Sequence, residues 1–253
     1  MKYIYENLKQ VPPWRLIIAA VLLFGISLES NTFLSYSGGQ PTFQEMAVNS
    51  FNRIVVFSQY LIFLLIVADF GFKKHDDANT ARGSFVRGIA YLAFVCLLFV
   101  IITMAFNLLV LLIKCGAIAT TDIWNAMAQS SLTWISPSLA MGISALFFYL
   151  RFLFVAILIY TVNQRCTKIP YGFAAGLAFF MFEMIVCFSL GPFEPTGLFP
   201  FEHAYLEYAL NLTAIPALDI TISIAYWGVL ILIVRFIDYI ANKPWRRKAK
   251  DEL

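Results

Sequence analysis

Apolar residues fall into six blocks along this chain, at about 16–34, 52–71, 89–113, 139–162, 171–190 and 217–241. Each block approaches or passes the ~20 residues that carry a helix across a bilayer. The connections are short, apart from 114–137 and 191–216. The pattern predicts one transmembrane domain over 1–253: an all-α integral membrane protein with six transmembrane helices.

The fourth and fifth blocks form a hairpin around the basic turn Asn163 to Pro170. Each carries one charge at mid-span, Arg151 in the first and Glu183 in the second, and each charge lies 12 residues from the turn. At ~1.5 Å per residue both sit about 18 Å up from one face. A lone charge at such depth costs at least ~2.5 kcal/mol, and a partner of opposite sign is the usual remedy. Arg151 and Glu183 are therefore expected to form an intramembrane ion pair. Gly142, Ser144 and Ala145 on one span, and Gly172, Ala174, Ala175, Gly176 and Ala178 on the other, offer small faces for close packing.

Composition agrees with the pattern: 60% of residues are hydrophobic and 13% charged, with a mean hydropathy of +0.77. A soluble domain carries roughly 25% charge. Fourteen of the eighteen Lys and Arg residues fall on one side: Lys2, Lys9, Arg15, Lys73, Lys74, Arg82, Arg87, Arg165, Lys168, Lys243, Arg246, Arg247, Lys248 and Lys250. The positive-inside rule then places both termini, and the loops 72–88 and 163–170, in the cytoplasm. These charges flank apolar spans, so nucleic acid is not an expected partner. Membrane lipid is, and the tail Lys243-Pro244-Trp245-Arg246-Arg247-Lys248 suits anionic headgroups.

Taken in order, residues 1–15 suit an interfacial helix on the cytoplasmic face, with a frayed terminus as the alternative. No cleavage site follows the first apolar run, so a signal peptide is disfavoured. The stretch 35–50 is expected to be an outer loop, with Glu29 and Arg53 near enough in depth for a rim ion pair. In the polar loop 72–88, Asp76, Asp77 or Asn79 could cap a short helix along the membrane carrying Arg82, Phe85 and Val86. The loop serves either to dock a partner or simply to fix topology. Lys114 to Pro137 is a long outer connection. Three prolines and two glycines in 191–200 exclude a continuing helix. Short outer helices are expected between spans five and six, with Glu194, Glu202, His203 and Glu207 as the outer polar group. Arg235 and Asp238 can neutralise each other at i, i+3.

Several chemistries are not indicated. There is no P-loop motif. His75 and His203 fall on opposite sides, and His203 with Glu202 and Glu207 supplies too few ligands for a metal. No catalytic residues are assigned and no enzyme is expected; a serine turn around Ser144 lacks a histidine at its depth. Cys115 and Cys187 are near one face, so a bridge is conceivable, but apolar thiols are the expected state. The final Lys250-Asp251-Glu252-Leu253 resembles a luminal retention signal on an end assigned to the cytoplasm, and Asn211-Leu212-Thr213 matches an acceptor for N-glycosylation.

The order of features is more specific than any motif: an interfacial N-terminal element, six spans with both ends inside, a polar loop 72–88 between spans two and three, and a broken outer segment from Gly191 to Pro216. In these features the chain resembles the short permease subunits of ABC transporters of the type-2 exporter superfamily. Its length and the lack of a fused ATPase look similar to small bacterial permeases for peptide export and self-protection. The resemblance implies a bacterial plasma-membrane exporter for a peptide or other amphipathic substrate. It implies a separate ABC ATPase subunit carrying ATP and magnesium, a second permease chain, and no cofactor in this chain. Asp76, Asp77, Arg82, Phe85 and Arg87 would form the ATPase-coupling loop. The alternative is a non-transporting immunity or assembly protein that binds a peptide at the outer face. Either way, Arg151 and Glu183 find no catalytic companions in the sequence and are expected to act as a structural clasp.

Overall fold

A computed structural model of the chain describes residues 11–36, 42–71, 81–115, 135–165, 171–190, 196–213 and 215–241. Every regular element among them is helical: α1 (Pro13–Tyr36), α2 (Phe43–Ser50), α3 (Arg53–Val67), α4 (Ala81–Cys115), α5 (Pro137–Asn163), α6 (Gly172–Leu190), a 3-10 helix (Pro200–His203), α7 (Leu206–Ala209) and α8 (Pro216–Ala241). Five helices are long and apolar enough to cross a membrane, and the bent pair α2–α3 makes a sixth if counted as one span. This is an all-α, multi-pass membrane protein.

The hairpin is α5 and α6. Ser136 caps α5 by accepting from the Leu139 amide, and Pro137 takes the first turn, where its missing N–H costs nothing. α5 is the most buried of the spanning helices and touches α2, α3, α4, α6, α7 and α8. Its aromatic side chains explain that position. Phe152 packs against Tyr60 and Phe63 of α3, Phe99 of α4 and Phe148 one turn earlier on α5, with ring centroids 4.3–5.7 Å apart. Such ring pairs contribute about 0.5–1.5 kcal/mol each beyond the area they bury. α8 lies at the other extreme. It buries a single stripe, Asp219, Ser223, Trp227 and Asp238, while Leu232, Phe236 and Tyr239 face outward as lipid-exposed side chains do.

Two expected boundaries are corrected. Residues 43–50 form no loop: Thr42 and Glu45 make a reciprocal capping box that starts α2, and its Glu45, Met46, Ala47, Asn49 and Ser50 are buried. The second block is thus a bent pair, turned through 70° at Phe51-Asn52, with α3 only 15 residues long. The third block does not follow a separate interfacial helix either. α4 runs unbroken for 35 residues from Ala81, because nothing between Arg82 and Gly88 breaks it and Gly88 itself is buried against α5. Pro13 opens α1, since proline is tolerated in a first turn; residues 1–10 lie outside the described residues.

Candidate functional site

The expected ion pair forms, and it is the buried centre of the bundle. Arg151 donates from Nε at 3.0 Å and from Nη2 at 2.6 Å, both to Glu183 Oε2. Arg151 is 1% and Glu183 0% exposed. Removing both charges from water is costly, and a pair holds only when further hydrogen bonds satisfy what remains. The third guanidinium nitrogen supplies one: Nη1 donates to the Tyr205 hydroxyl at 3.0 Å. Three rings surround the cation, with centroids 5.2 Å away for Tyr60, 5.3 Å for Tyr205 and 5.9 Å for Phe57. Tyr60 also ties two helices together, donating its hydroxyl at 3.1 Å to the Gly176 carbonyl. Glu183 Oε1 is buried with no hydrogen-bond partner among the described residues.

Tyr205 comes from the segment between α6 and α8, which folds into a cap. Glu202 organises it. Its carboxylate accepts from the amides of Thr196 (2.6 Å), Leu198 (2.8 Å) and Phe199 (2.9 Å), so three backbone N–H groups close on one buried side chain. Gly197 has φ +74°, a conformation natural to glycine, and permits this turn. Next in sequence, His203 is fully buried. Its Nδ1 lies 3.1 Å from Ser223 Oγ and its Nε2 3.0 Å from the Gly197 carbonyl, and the ring stacks on Tyr226 at 4.0 Å. Burial lowers the imidazole pKa from its ordinary value; the Gly197 carbonyl and Glu202 oppose that shift without overcoming it. Trp227 donates its indole N–H to the His203 carbonyl at 3.1 Å, and Tyr226 its hydroxyl to the Leu198 carbonyl at 3.1 Å. The stripe of α8 is therefore fastened to the cap, and the cap to the ion pair.

At the opposite end, a second polar junction surrounds the hairpin turn. Asn163, the last residue of α5, donates to the Ala68 and Phe70 carbonyls at 2.8 and 2.9 Å and accepts from the Gly172 amide at 2.7 Å. One buried amide thus joins the ends of α3, α5 and α6. Tyr160, three residues earlier, is closed on from two sides. A Cβ on Gly71, which has φ +80°, would come within 2.7 Å of the Tyr160 ring, and one on Gly88 within 2.5 Å of its hydroxyl. Gly71 and Gly88, the latter two turns into α4, thus close on the same ring. Arg15 adds α1 to the junction through an ion pair with Asp69. Arg165 and Arg235 both meet Asp238, each at 2.9 Å.

The expected residues fare unequally. Arg151 and Glu183 meet as expected. Glu202 and His203 are structural members of the cap, their polar atoms spent on neighbours, and no group of three metal-ligating side chains occurs among the described residues. Glu194, Asp76 and Asp77 lie outside the described residues, as do the side chains of Glu207, Arg53, Arg82, Phe85 and Arg87; the backbone of the last three belongs to the first turns of α4. Glu29 is exposed on α1. Cys187 is buried, and the side chain of Cys115 lies outside the described residues. Of the small faces, Gly172 and Gly176 make close contacts, against Asn163 and Leu64, whereas Gly142 faces open space. Tyr205, Asn163 and Tyr160 were not singled out by the sequence. The only sign of Asn163 was a polar residue at the apolar block's edge; the other two resemble ordinary aromatic residues. Compared with family models, with curated proteins and with solved structures, the chain finds no match.

Proposed function

We propose that this chain is the permease subunit of an ATP-driven exporter, with ATP and magnesium bound by a separate ABC ATPase. It counts six spans, α2 and α3 making one, with both termini and the 72–88 loop in the bacterial cytoplasm. A second permease chain completes the pathway for a peptide or other amphipathic substrate. The observation that supports this reading is the close approach of both Gly71 and Gly88, the latter two turns into α4, to Tyr160. A docking loop is useful only if a push on it reaches the spans. Here Gly71 and the second turn of α4, on either side of it, bear on one side chain of the most central helix. Asn163 and the Arg15–Asp69 pair join α1, α3 and α6 to the same junction. Packed interiors pass such displacements on because they deform little. Displacement at the loop would rotate or lift the α5–α6 hairpin, and with it the Arg151–Glu183 pair beneath the cap.

The experiment is co-purification from the native membrane. A P-loop ATPase is expected to accompany the wild-type chain. Charge reversal at Asp76, Asp77 and Arg82 together is expected to release it while the chain still inserts. Retention of the ATPase by that variant would remove the coupling role from the loop.

A further inference from the structure

A second polar region lies apart from the ion pair, where α1, α2 and α4 meet at the bend of the second span. On α2, Glu45 and Asn49 are one turn apart and share a face. Asn49 donates to Ser30 of α1 at 2.7 Å, and Ser50 donates to Asn107 Oδ1 of α4 at 3.0 Å. All five residues are buried, Glu45 and Asn107 completely. Thr103, one turn before Asn107, has turned its hydroxyl onto its own helix at the Phe99 carbonyl and needs nothing more.

Two of the others do need something more. Glu45 Oε2 is taken by the Thr42 amide, but among the described residues Oε1 is buried without a hydrogen-bond partner, and so is Asn107 Nδ2. No described Lys or Arg side chain pairs with Glu45. A carboxylate oxygen buried in the protein without a partner is costly. The Ser50–Asn107 contact survives a flip of the amide: the hydroxyl then accepts from Nδ2, and Oδ1 turns free. In that arrangement the region offers one carboxylate oxygen in the first turn of α2, and one amide oxygen and serine hydroxyls nearer the break at Phe51-Asn52. Broken helices with neutral oxygens and a single acid are how membrane proteins hold small cations. One negative charge balances one positive charge, which favours a monovalent ion; divalent ions call for more carboxylates.

We infer that Glu45, with Asn49, Ser50, Asn107 and Ser30, binds a small alkali cation at the bend between α2 and α3. This site is independent of the ATPase reading and of the Arg151–Glu183 centre.

The test is thermal unfolding of the purified full-length chain in detergent, at fixed pH and ionic strength, with sodium or potassium exchanged for choline. A ligand that binds only the folded state raises the midpoint in proportion to the logarithm of its concentration. The wild type is expected to gain several degrees in one alkali ion over choline, the gain rising with the logarithm of concentration above the dissociation constant. Glu45→Gln keeps the capping box, because glutamine also serves at that position, and is expected to lose the gain. Asn49→Ala is expected to move the onset of the gain to at least tenfold higher ion concentration. Equal midpoints for the wild type in sodium, potassium and choline would overturn the site, as would an undiminished gain in Glu45→Gln. The wild-type comparison stands even if a variant fails to fold.

Discussion

Arg151 Nη1 donates to the Tyr205 hydroxyl at 3.0 Å, so the buried ion pair of the hairpin is also the latch of the cap. Residues 54 positions apart in sequence, one in a span and one in the segment between spans, share a single charge-assisted hydrogen bond. That bond makes the ion pair more than a depth marker. Any motion that separates α5 from α6 also pulls on the cap, and opening the cap leaves Arg151 with one fewer partner in a water-poor interior.

Tyr205→Phe tests the latch. It keeps the ring over Arg151 and removes only the hydroxyl. A hydrogen bond to a charged group contributes about 1.5–3 kcal/mol, and a loss of that order is expected in unfolding measured in detergent. Labelling of a cysteine placed at the exposed Leu198 should not change much, but one at the buried Ala204 should react several-fold faster in Tyr205→Phe than in a Tyr205 background. Unchanged reactivity at position 204 would detach the cap from the ion pair.

The ion pair itself should tolerate removal better than interruption. Arg151→Ala or Glu183→Ala leaves a buried charge alone and should cost about 3–5 kcal/mol. Replacing both by Met and Leu should cost less than either single change. The sequence alone suggests that exchanging the two charges would also be mild. The ring cage argues otherwise: the faces of Phe57, Tyr60 and Tyr205 attract a cation at 151 and would repel a carboxylate there. The exchanged protein should therefore be less stable than the apolar double variant, by the same unfolding measurement.

The cap should loosen in acid. Burial depresses the His203 pKa below its ordinary 6.5, so the unfolded segment takes up a proton before the folded one does. Proton uptake by the unfolded form means that stability is full above about pH 6.5 and falls as pH drops below it, levelling off once the folded pKa is passed. The position-204 labelling rate should rise over that interval. His203→Gln, which keeps a donor and an acceptor, should flatten the rise. A rate independent of pH between 7 and 5 in the wild type would contradict the assignment.

How much of this was visible in the sequence follows from what each interaction leaves in a local pattern. The hairpin boundaries were legible because apolar run and polar turn change abruptly at Pro137, Asn163 and Gly172. Arg151 and Glu183 were legible because charge is rare in such runs and depth can be counted from the turn. α2 was signalled by Thr42-x-x-Glu45, a capping box read as loop because the surrounding stretch has no spanning length. The cap, the latch and the Tyr160 junction were not legible. They depend on ordinary residues, Tyr205, Tyr160, Gly71 and Gly88, meeting across long separations, and nothing local distinguishes them from other aromatic or glycine positions.

The junction at the turn end should be intolerant of small additions. Gly71→Ala meets both a left-handed backbone and the Tyr160 ring, and Gly88→Ala meets the Tyr160 hydroxyl. Overpacking of this kind typically costs about 1–3 kcal/mol. Asn163→Ala orphans two carbonyls and one amide, at about 1–3 kcal/mol for each group left buried and unsatisfied. Tyr160→Ala combined with Gly88→Ala should recover part of the loss from Gly88→Ala alone, which a double-mutant cycle on unfolding midpoints would show as coupling.

The permease reading is tested most directly by site-specific cross-linking in native membranes. A photo-reactive residue placed singly at Asp77, Ser84 or Arg87 should capture a protein that carries a G-x-x-x-x-G-K-[ST] nucleotide loop, and the yield should change when a non-hydrolysable ATP analogue is added. Capture of no nucleotide-binding protein from any of the three positions, by a chain whose cap and hairpin are intact in the position-204 labelling assay, would contradict it.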